Sequence, residues 1–266
     1  MATILLQTTI TENPDDWDIR RFSLLAGELR ADGHDVLARN RVDHGVQDPV
    51  LSHLDELGFD QLWLMAVDVG NGLTPGECAA IGRFRGLGGG VLTARDHRDL
   101  GGCLRGLGSL GQLNEFVDAN IHSGANGDYQ PVLAVEPVHQ LLRTARTASG
   151  RIEWFPAHPH EGLVSAAAVP SATVVARGRS TGTGRTFDLA VALDGEQTAE
   201  GRPMGRAVAE SSFHHFADYN WDLGCGAPSF VTDRPGWQIR ADPSRLGVFK
   251  DYVRNLATWL QPPDHH

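Results

Sequence analysis

The chain has 266 residues, 41% hydrophobic and 21% charged, with 23 basic against 33 acidic side chains and a formal net charge of −10. This is the composition of a globular protein rather than a disordered one, and the acidic balance speaks against nucleic acid and anionic membranes, whose phosphates are bound by clustered Lys and Arg. No uncharged run is long enough to span a bilayer, and three scattered cysteines (Cys78, Cys103, Cys225) without a CxxC pair fit reduced thiols in a cytoplasmic protein.

The opening Met1-Ala2-Thr3-Ile4-Leu5-Leu6-Gln7 lacks a basic stretch, so it reads as a first strand over residues 2–8, not a signal peptide. Asn13-Pro14-Asp15-Asp16 follows as a turn and helix cap. From Trp17, the positions Ile19, Phe22, Leu25, Ala26 and Leu29 recur at helical spacing until Gly33. Residues 35–39 form a short second strand, residues 49–57 a short helix, and residues 59–67 a third strand. Thr74-Pro75-Gly76-Glu77 carries a hydroxyl cap, proline at the first helical position and an acid three residues on, so it starts a helix that runs to about Arg85. A fourth strand begins at Gly88. Strand–helix alternation with short links implies an α/β fold with a parallel sheet and right-handed crossovers.

Residues 101–111 read as an irregular loop or a weak helix, and residues 114–129 as a polar loop. Residues 171–179, 186–193 and 206–211 read as three strands, with turns at Gly182-Thr183-Gly184 and Asp194-Gly195. The last two follow without an intervening helix, so part of the sheet is antiparallel. Residues 244–260 close as an amphipathic helix. With no repeat or linker, residues 1–266 are expected to form one domain.

Three polar clusters sit at or beside strand ends, where ligands bind in open α/β sheets. The first is Arg95-Asp96-His97-Arg98-Asp99, after a glycine-led strand. A histidine beside a carboxylate tunes proton affinity; a helix N-terminus capped by Asp96 and Asp99 is an equally good reading. The second is Phe155-Pro156-Ala157-His158-Pro159-His160-Glu161-Gly162. Two histidines one residue apart project the same way on an extended chain, so both could reach one metal ion. The alternative is an exposed turn. The third is Glu210-Ser211-Ser212-Phe213-His214-His215, which puts hydroxyls and imidazoles at the sheet's carboxyl edge. Adjacent histidines point in different directions, so one faces the site and the other is packed. HExxH does not occur, and the glycine run 86–90 precedes a strand instead of opening a helix, so it is not a phosphate loop. His265 and His266 belong to a frayed terminus.

Residues 60–67, the Thr74-Pro75-Gly76-Glu77 helix start, Gly88-Gly89-Gly90-Val91-Leu92 and the late Gly205-Arg206-Ala207-Val208-Ala209-Glu210-Ser211-Ser212-Phe213-His214 are similar to the trehalose-utilisation (ThuA-like) family. That family belongs to the class I glutamine amidotransferase-like superfamily. The resemblance covers most of the chain and implies a flavodoxin-like three-layer sandwich, with a mainly parallel central sheet and an antiparallel C-terminal extension. Amidotransferases of the superfamily carry a nucleophilic cysteine at the turn after the glycine-led strand, and ThuA-like proteins usually carry histidine. Here Arg95 or a direct neighbour stands there, and Cys103 lies several residues further on. The resemblance therefore implies no cysteine nucleophile. His158-Pro159-His160-Glu161 resembles the amidotransferase His-Pro-Glu, but it comes ahead of several strands and takes no role from it. His214 matches the family's site histidine.

The leading expectation is an enzyme acting by acid–base chemistry on a small polar, carbohydrate-like molecule. In it His214 is the base, Asp96 the orienting carboxylate, His97 its neighbour and Arg95 the group steadying an anionic substrate or intermediate. Ser212, His215 and Asp99 are expected to contact substrate. In the metal-assisted version, His158, His160 and Glu161 hold a divalent ion such as zinc. The rival is a non-catalytic binding or interaction protein that kept the fold. A third reading is a subunit of a partner enzyme, with residues 101–129 as the contact surface; a homo-oligomer is also open.

Overall fold

The apolar N-terminal run forms β1 (Thr3–Thr8), which pairs in parallel with β2 (Asp35–Arg39) and β3 (Gln61–Met65). The structure is a computed structural model that describes residues 1–43, 45–117, 121–133 and 135–262. Part of the expected loop at residues 118–120, and with it part of the 101–129 contact surface, lies outside the described residues, as do His265 and His266. Helix α1 (Ser23–Ala31) joins β1 to β2, and α2 (Pro75–Gly86) joins β3 to β4 (Gly90–Ala94). The chain continues through α3 (Gly108–Gln112), the two-residue β5 (Asn114–Glu115), and a separate antiparallel pair, β6 (Tyr129–Pro131) with β7 (Trp154–Pro156). It then runs through β8 (Leu163–Val164), β9 (Ala172–Arg179), β10 (Thr186–Leu193) and β11 (Ala207–Glu210), and ends with α4 (Asp218–Trp221), α5 (Gln238–Ala241) and α6 (Pro243–Trp259).

The main sheet runs β2-β1-β3-β4-β11-β10-β8-β5, with β9 also on β10. From β2 to β11 the pairings are parallel; from β11 outward through β10, β9, β8 and β5 they are antiparallel. The fold is thus the expected α/β sandwich, with one difference. The antiparallel edge recruits β5 and β8 from mid-chain, and the last strand, β11, belongs to the parallel half.

Successive strand residues face opposite sides, which explains the three layers. Ile4, Leu6, Trp63, Met65 and Leu92 pack with Leu25 and Leu29 of α1 and Phe249, Val253 and Leu256 of α6. Leu5, Leu62, Leu64 and Val91 pack on the other face with Ile81 and Phe84 of α2. The start of α2 is as its sequence predicts: Thr74 Oγ1 accepts from Glu77 N at 3.3 Å, and the Glu77 carboxylate accepts from Thr74 N at 2.7 Å. The expected helix at residues 49–57 shrinks to a 3-10 turn, Leu51–His53, because so short a run cannot offset the cost of helix nucleation. In the segment expected as a contact surface, Leu104, Leu107, Leu110 and Leu113 turn inward to the core.

Candidate functional site

Strands β4 and β11 lie side by side with Ala94 opposite Glu210, so the residues after each emerge together at the carboxyl edge. Asp96 follows β4. Beyond β11 a 3-10 turn, Phe213–His215, begins at Ser212, whose Oγ accepts from His214 N at 3.1 Å. The loop after β7 is laid against both ends. Gly162 N donates to Ser211 O at 3.0 Å, and a Cβ at Gly162 would come within 2.7 Å of the carbonyl oxygens of both Asp96 and Ser211. Glycine therefore permits the approach that delivers His158.

Asp96, His158 and His214 meet at the floor of a cleft of about 580 Å³. His158 Nε2 lies 3.3 Å from Asp96 Oδ1, and His214 Nε2 lies 3.3 Å from Asp96 Oδ2. The two imidazoles stack, with centroids 3.5 Å apart and planes 14° from parallel. His158 Nδ1 pairs with Asn126 Oδ1 at 2.9 Å, and Asn220 Nδ2 donates to the same oxygen at 3.3 Å. Trp17 stands edge-on to His214 at 4.5 Å, and Phe213 stacks on it at 4.6 Å. All three residues are only 2–3% exposed, yet Asp96 Oδ1, His158 Nε2 and His214 Nδ1 make no hydrogen bond.

Burial opposes the charge on Asp96, but the two facing imidazoles outweigh it and hold the carboxyl well below its ordinary range. Burial pushes His214 down to about 4, with His158 adding to the effect and Asp96 resisting it, so its imidazole is neutral near neutral pH. His97, at the rim, places Nδ1 3.2 Å from Asp96 Oδ2. Ile10, Trp17, Val67, Phe213 and Val231 line the walls, with Asp16, Asp68 and Asp233 among the polar lining. Among the described residues, no Lys or Arg lines the cleft.

Several expected site residues lie elsewhere. Arg95 is buried and does not face the cleft. Its guanidinium donates to the carbonyls of Leu100 (3.1 Å), Glu115 (3.0 Å) and Arg98, and lies 4.3 Å over the Phe116 ring. It ties the post-β4 loop to the body and is not free to steady an anion. Asp99 is exposed and outside the cleft lining. Ser212 is buried and spends its hydroxyl on the cap of the 213–215 turn.

The expected metal set also changes. Pro159 and His160 form a turn instead of an extended stretch, so the two histidines diverge. The His160 ring lies 5.8 Å from that of His158 and 5.0 Å from that of His97, at the rim. Burial lowers the proton affinity of His160, with His158 and His97 adding to the effect. Glu161 turns away from His158 and into the protein. Three donors within 4.8 Å of one another are instead Asp96, His158 and His214.

Glu161 belongs with His215, expected at the substrate but fully buried, in a cluster behind the cleft. His215 Nε2 lies 3.2 Å from Glu161 Oε2, and His215 Nδ1 lies 3.3 Å from Glu210 Oε2. Ser123 and Gln130 donate to Glu161 Oε1 at 2.8 and 2.5 Å, Ser211 donates to Oε2 at 3.0 Å, and Tyr252 OH donates to Glu210 Oε1. Burial opposes a charge on His215, but its two carboxylates push it up to about 10. His215 in turn holds Glu161 low against burial, whereas burial raises Glu210.

Sequence reasoning missed Asn126, which orients His158, and Trp17, which walls His214. Asn126 sits in Gly124-Ala125-Asn126-Gly127, which reads as an ordinary turn, and Trp17 lies in the turn ahead of the first helical segment, so neither carried a signal.

With this geometry the chain is an α/β protein with a buried aspartate–histidine group at a strand-end cleft. No family model matches it, and no curated protein matches it. Among solved structures, the mmIFT52 N-terminal domain is similar over 99% of this chain and 100% of its own, at 12% identity and a TM-score of 0.57. At that identity the likeness is one of fold alone. The glutaminase domain of Trypanosoma brucei CTPS, with bound acivicin, is similar over 98% of each chain at 14% identity, with a TM-score of 0.45. Exo-beta-1,4-mannosidase Op5Man5 from Opitutaceae bacterium strain TAV5 is similar over 99% of this chain and 37% of its own, at 12% identity and a TM-score of 0.41. None of these comparisons places the chain in the ThuA-like family. No described helix is long and apolar enough to cross a membrane.

Proposed function

We propose that this chain is an enzyme acting by acid–base chemistry on a small, neutral, polar molecule of carbohydrate-like character, without a cysteine nucleophile. One observation carries the reading: a buried carboxylate held between two imidazoles at a cleft floor, with one atom of each of the three residues lacking a hydrogen-bond partner. Such an atom costs roughly 1–3 kcal/mol to bury, so a ligand that completes it is the natural reason to keep it. His214, with Nδ1 unpartnered, is the base; Asp96 orients it, and His158, fixed through Asn126, is its counterpart.

The ligand class follows from the lining. Acids without a Lys or Arg disfavour phosphates and carboxylates, while apolar walls with a few polar groups suit a neutral polyol or sugar. The ThuA-like resemblance supports the same choice, with residues 1–266 acting as one unit. Cys103 is no nucleophile: it is buried, its thiol donates to Asp68 at 2.9 Å, and burial raises it well above the ordinary thiol range, with Asp68 adding to the effect.

The test is a thermal-shift screen of monosaccharides, disaccharides and polyols, followed by NMR of each stabilising compound incubated with protein. The expected result is a compound that raises the melting point and is converted by wild type but not by Asp96→Asn. A compound that binds and returns unchanged would make this a binding protein, and no stabilising compound would remove the ligand class.

A further inference from the structure

We propose that Asp96, His158 and His214 together hold one divalent transition-metal ion, through one carboxylate oxygen and two imidazole nitrogens, with its remaining positions open to the cleft. The inference rests on the reading of this cleft as a reaction site only for what the ion would do there; with the ion bound His214 is a ligand, and the base role passes from it to a water or hydroxide on the ion.

The first support is proximity. One donor atom from each residue lies within 4.8 Å of the others, and all three residues are buried at the floor of the same cleft. A second, independent support is the orphaned atoms. His158 spends Nδ1 on Asn126 Oδ1, which leaves Nε2 as its remaining ring nitrogen. That nitrogen lies 3.3 Å from Asp96 Oδ1, and neither atom makes a hydrogen bond. Both are metal-donor atoms, and a cation seated beside them would give each the partner it lacks.

The third support is the outer layer. Metal-bound imidazoles usually donate their other nitrogen to a fixed oxygen, which sets tautomer and ring orientation. Asn126 does this for His158 and is itself held by Asn220. Two imidazoles and a carboxylate select zinc, manganese or iron(II) over calcium and magnesium, which take oxygen donors. With three protein ligands, positions remain for water or substrate, so such an ion would polarise a bound hydroxyl or carbonyl.

The geometry also says what must move. In-plane lone pairs of nearly parallel stacked rings do not converge on one point, so one ring has to turn when the ion seats. His158 is tied at Nδ1, whereas His214 Nδ1 has no hydrogen bond to lose, so His214 is the ring that turns.

The experiment uses full-length protein made without an affinity tag, stripped with a chelator, and titrated with zinc and with manganese by calorimetry and elemental analysis. Cobalt(II) absorption reports the ligand field. One ion per chain is expected. Asp96→Asn and His158→Ala should weaken binding by more than about 100-fold, Asn126→Ala by roughly 10–100-fold, and His160→Ala by less than about threefold. Melting curves of the stripped variants confirm that each is folded; should His158→Ala unfold, Asp96→Asn decides alone. Binding of less than about a tenth of an equivalent, unchanged binding in Asp96→Asn, or equal loss in His160→Ala would overturn the proposal. Full sugar conversion by stripped protein would remove the ion from the chemistry and leave the acid–base reading standing. Tight, Asp96-dependent ion binding with no sugar converted would sink that reading and leave the metal site.

Discussion

Two clusters of carboxylates and imidazoles lie back to back at the carboxyl edge of the sheet, and adjacent residues of one turn, His214 and His215, feed one each. Both are buried and both pair histidine with acid. In the rear cluster, every carboxylate oxygen of Glu161 and Glu210 and both ring nitrogens of His215 have a partner. In the front cluster, one oxygen of Asp96 and one nitrogen of each histidine make no hydrogen bond. Burial of titratable groups is thus common to both. What separates them is the ionisable groups: behind the cleft the unpartnered atom is the Gln130 amide oxygen and the charged groups are satisfied, which holds the fold together, whereas unsatisfied ionisable atoms facing a cleft await a ligand.

The largest effect that would test this contrast is at Glu161. Glu161→Gln takes from the buried His215 the nearer of its two carboxylates, and urea unfolding should show a loss of about 3–5 kcal/mol. Asp96→Asn, of the same shape and equally buried, should cost less stability than Glu161→Gln while abolishing conversion. Equal losses at the two positions would erase the distinction.

Arg95→Met removes a buried guanidinium from several carbonyls and should cost about 2–3 kcal/mol in the same measurement, with ligand affinity unchanged. A drop in affinity without a drop in stability would return Arg95 to the site.

Stability should also follow pH through His215. Its folded value, about 10, lies above its unfolded value near 6.5. The contribution is therefore fully present below about pH 6.5 and lost as pH rises toward 10. Unfolding free energies of wild type and His215→Gln, measured across that window, should converge as pH rises; a constant gap would contradict the assignment. The smallest effect is at Ser212, where Ser212→Ala should cost about 1 kcal/mol as a lost cap, read from the urea midpoint.

The layers were legible in the sequence because burial on two faces imposes its own pattern: Leu5 and Leu6 go to opposite cores, and Thr74 and Glu77 announce the helix between them. Asp96 and His214 were legible because each follows a strand, and adjacent parallel strands deliver their ends to one place. His158 could be read as a ligand, but its partners could not. Pro159 bends the chain and sends His160 to the rim and Glu161 inward, and periodicity does not report a turn of that kind. Arg95 misled because charge in a sequence does not reveal that carbonyls of its own loop and of Glu115 and Leu163 surround it. Which of two adjacent histidines faces the cleft depends on where Glu161 and Glu210 stand, and the Glu161 contact joins residues 54 positions apart in the chain.

The most direct test is the nitrogen NMR of the imidazole rings in uniformly labelled protein, with and without the stabilising sugar or one equivalent of zinc. The ring nitrogens of His158 and His214 should shift on addition, while those of His215 stay where they were. Unmoved signals from His158 and His214, or an equal shift at His215, would contradict the assignment of function to the unsatisfied cluster.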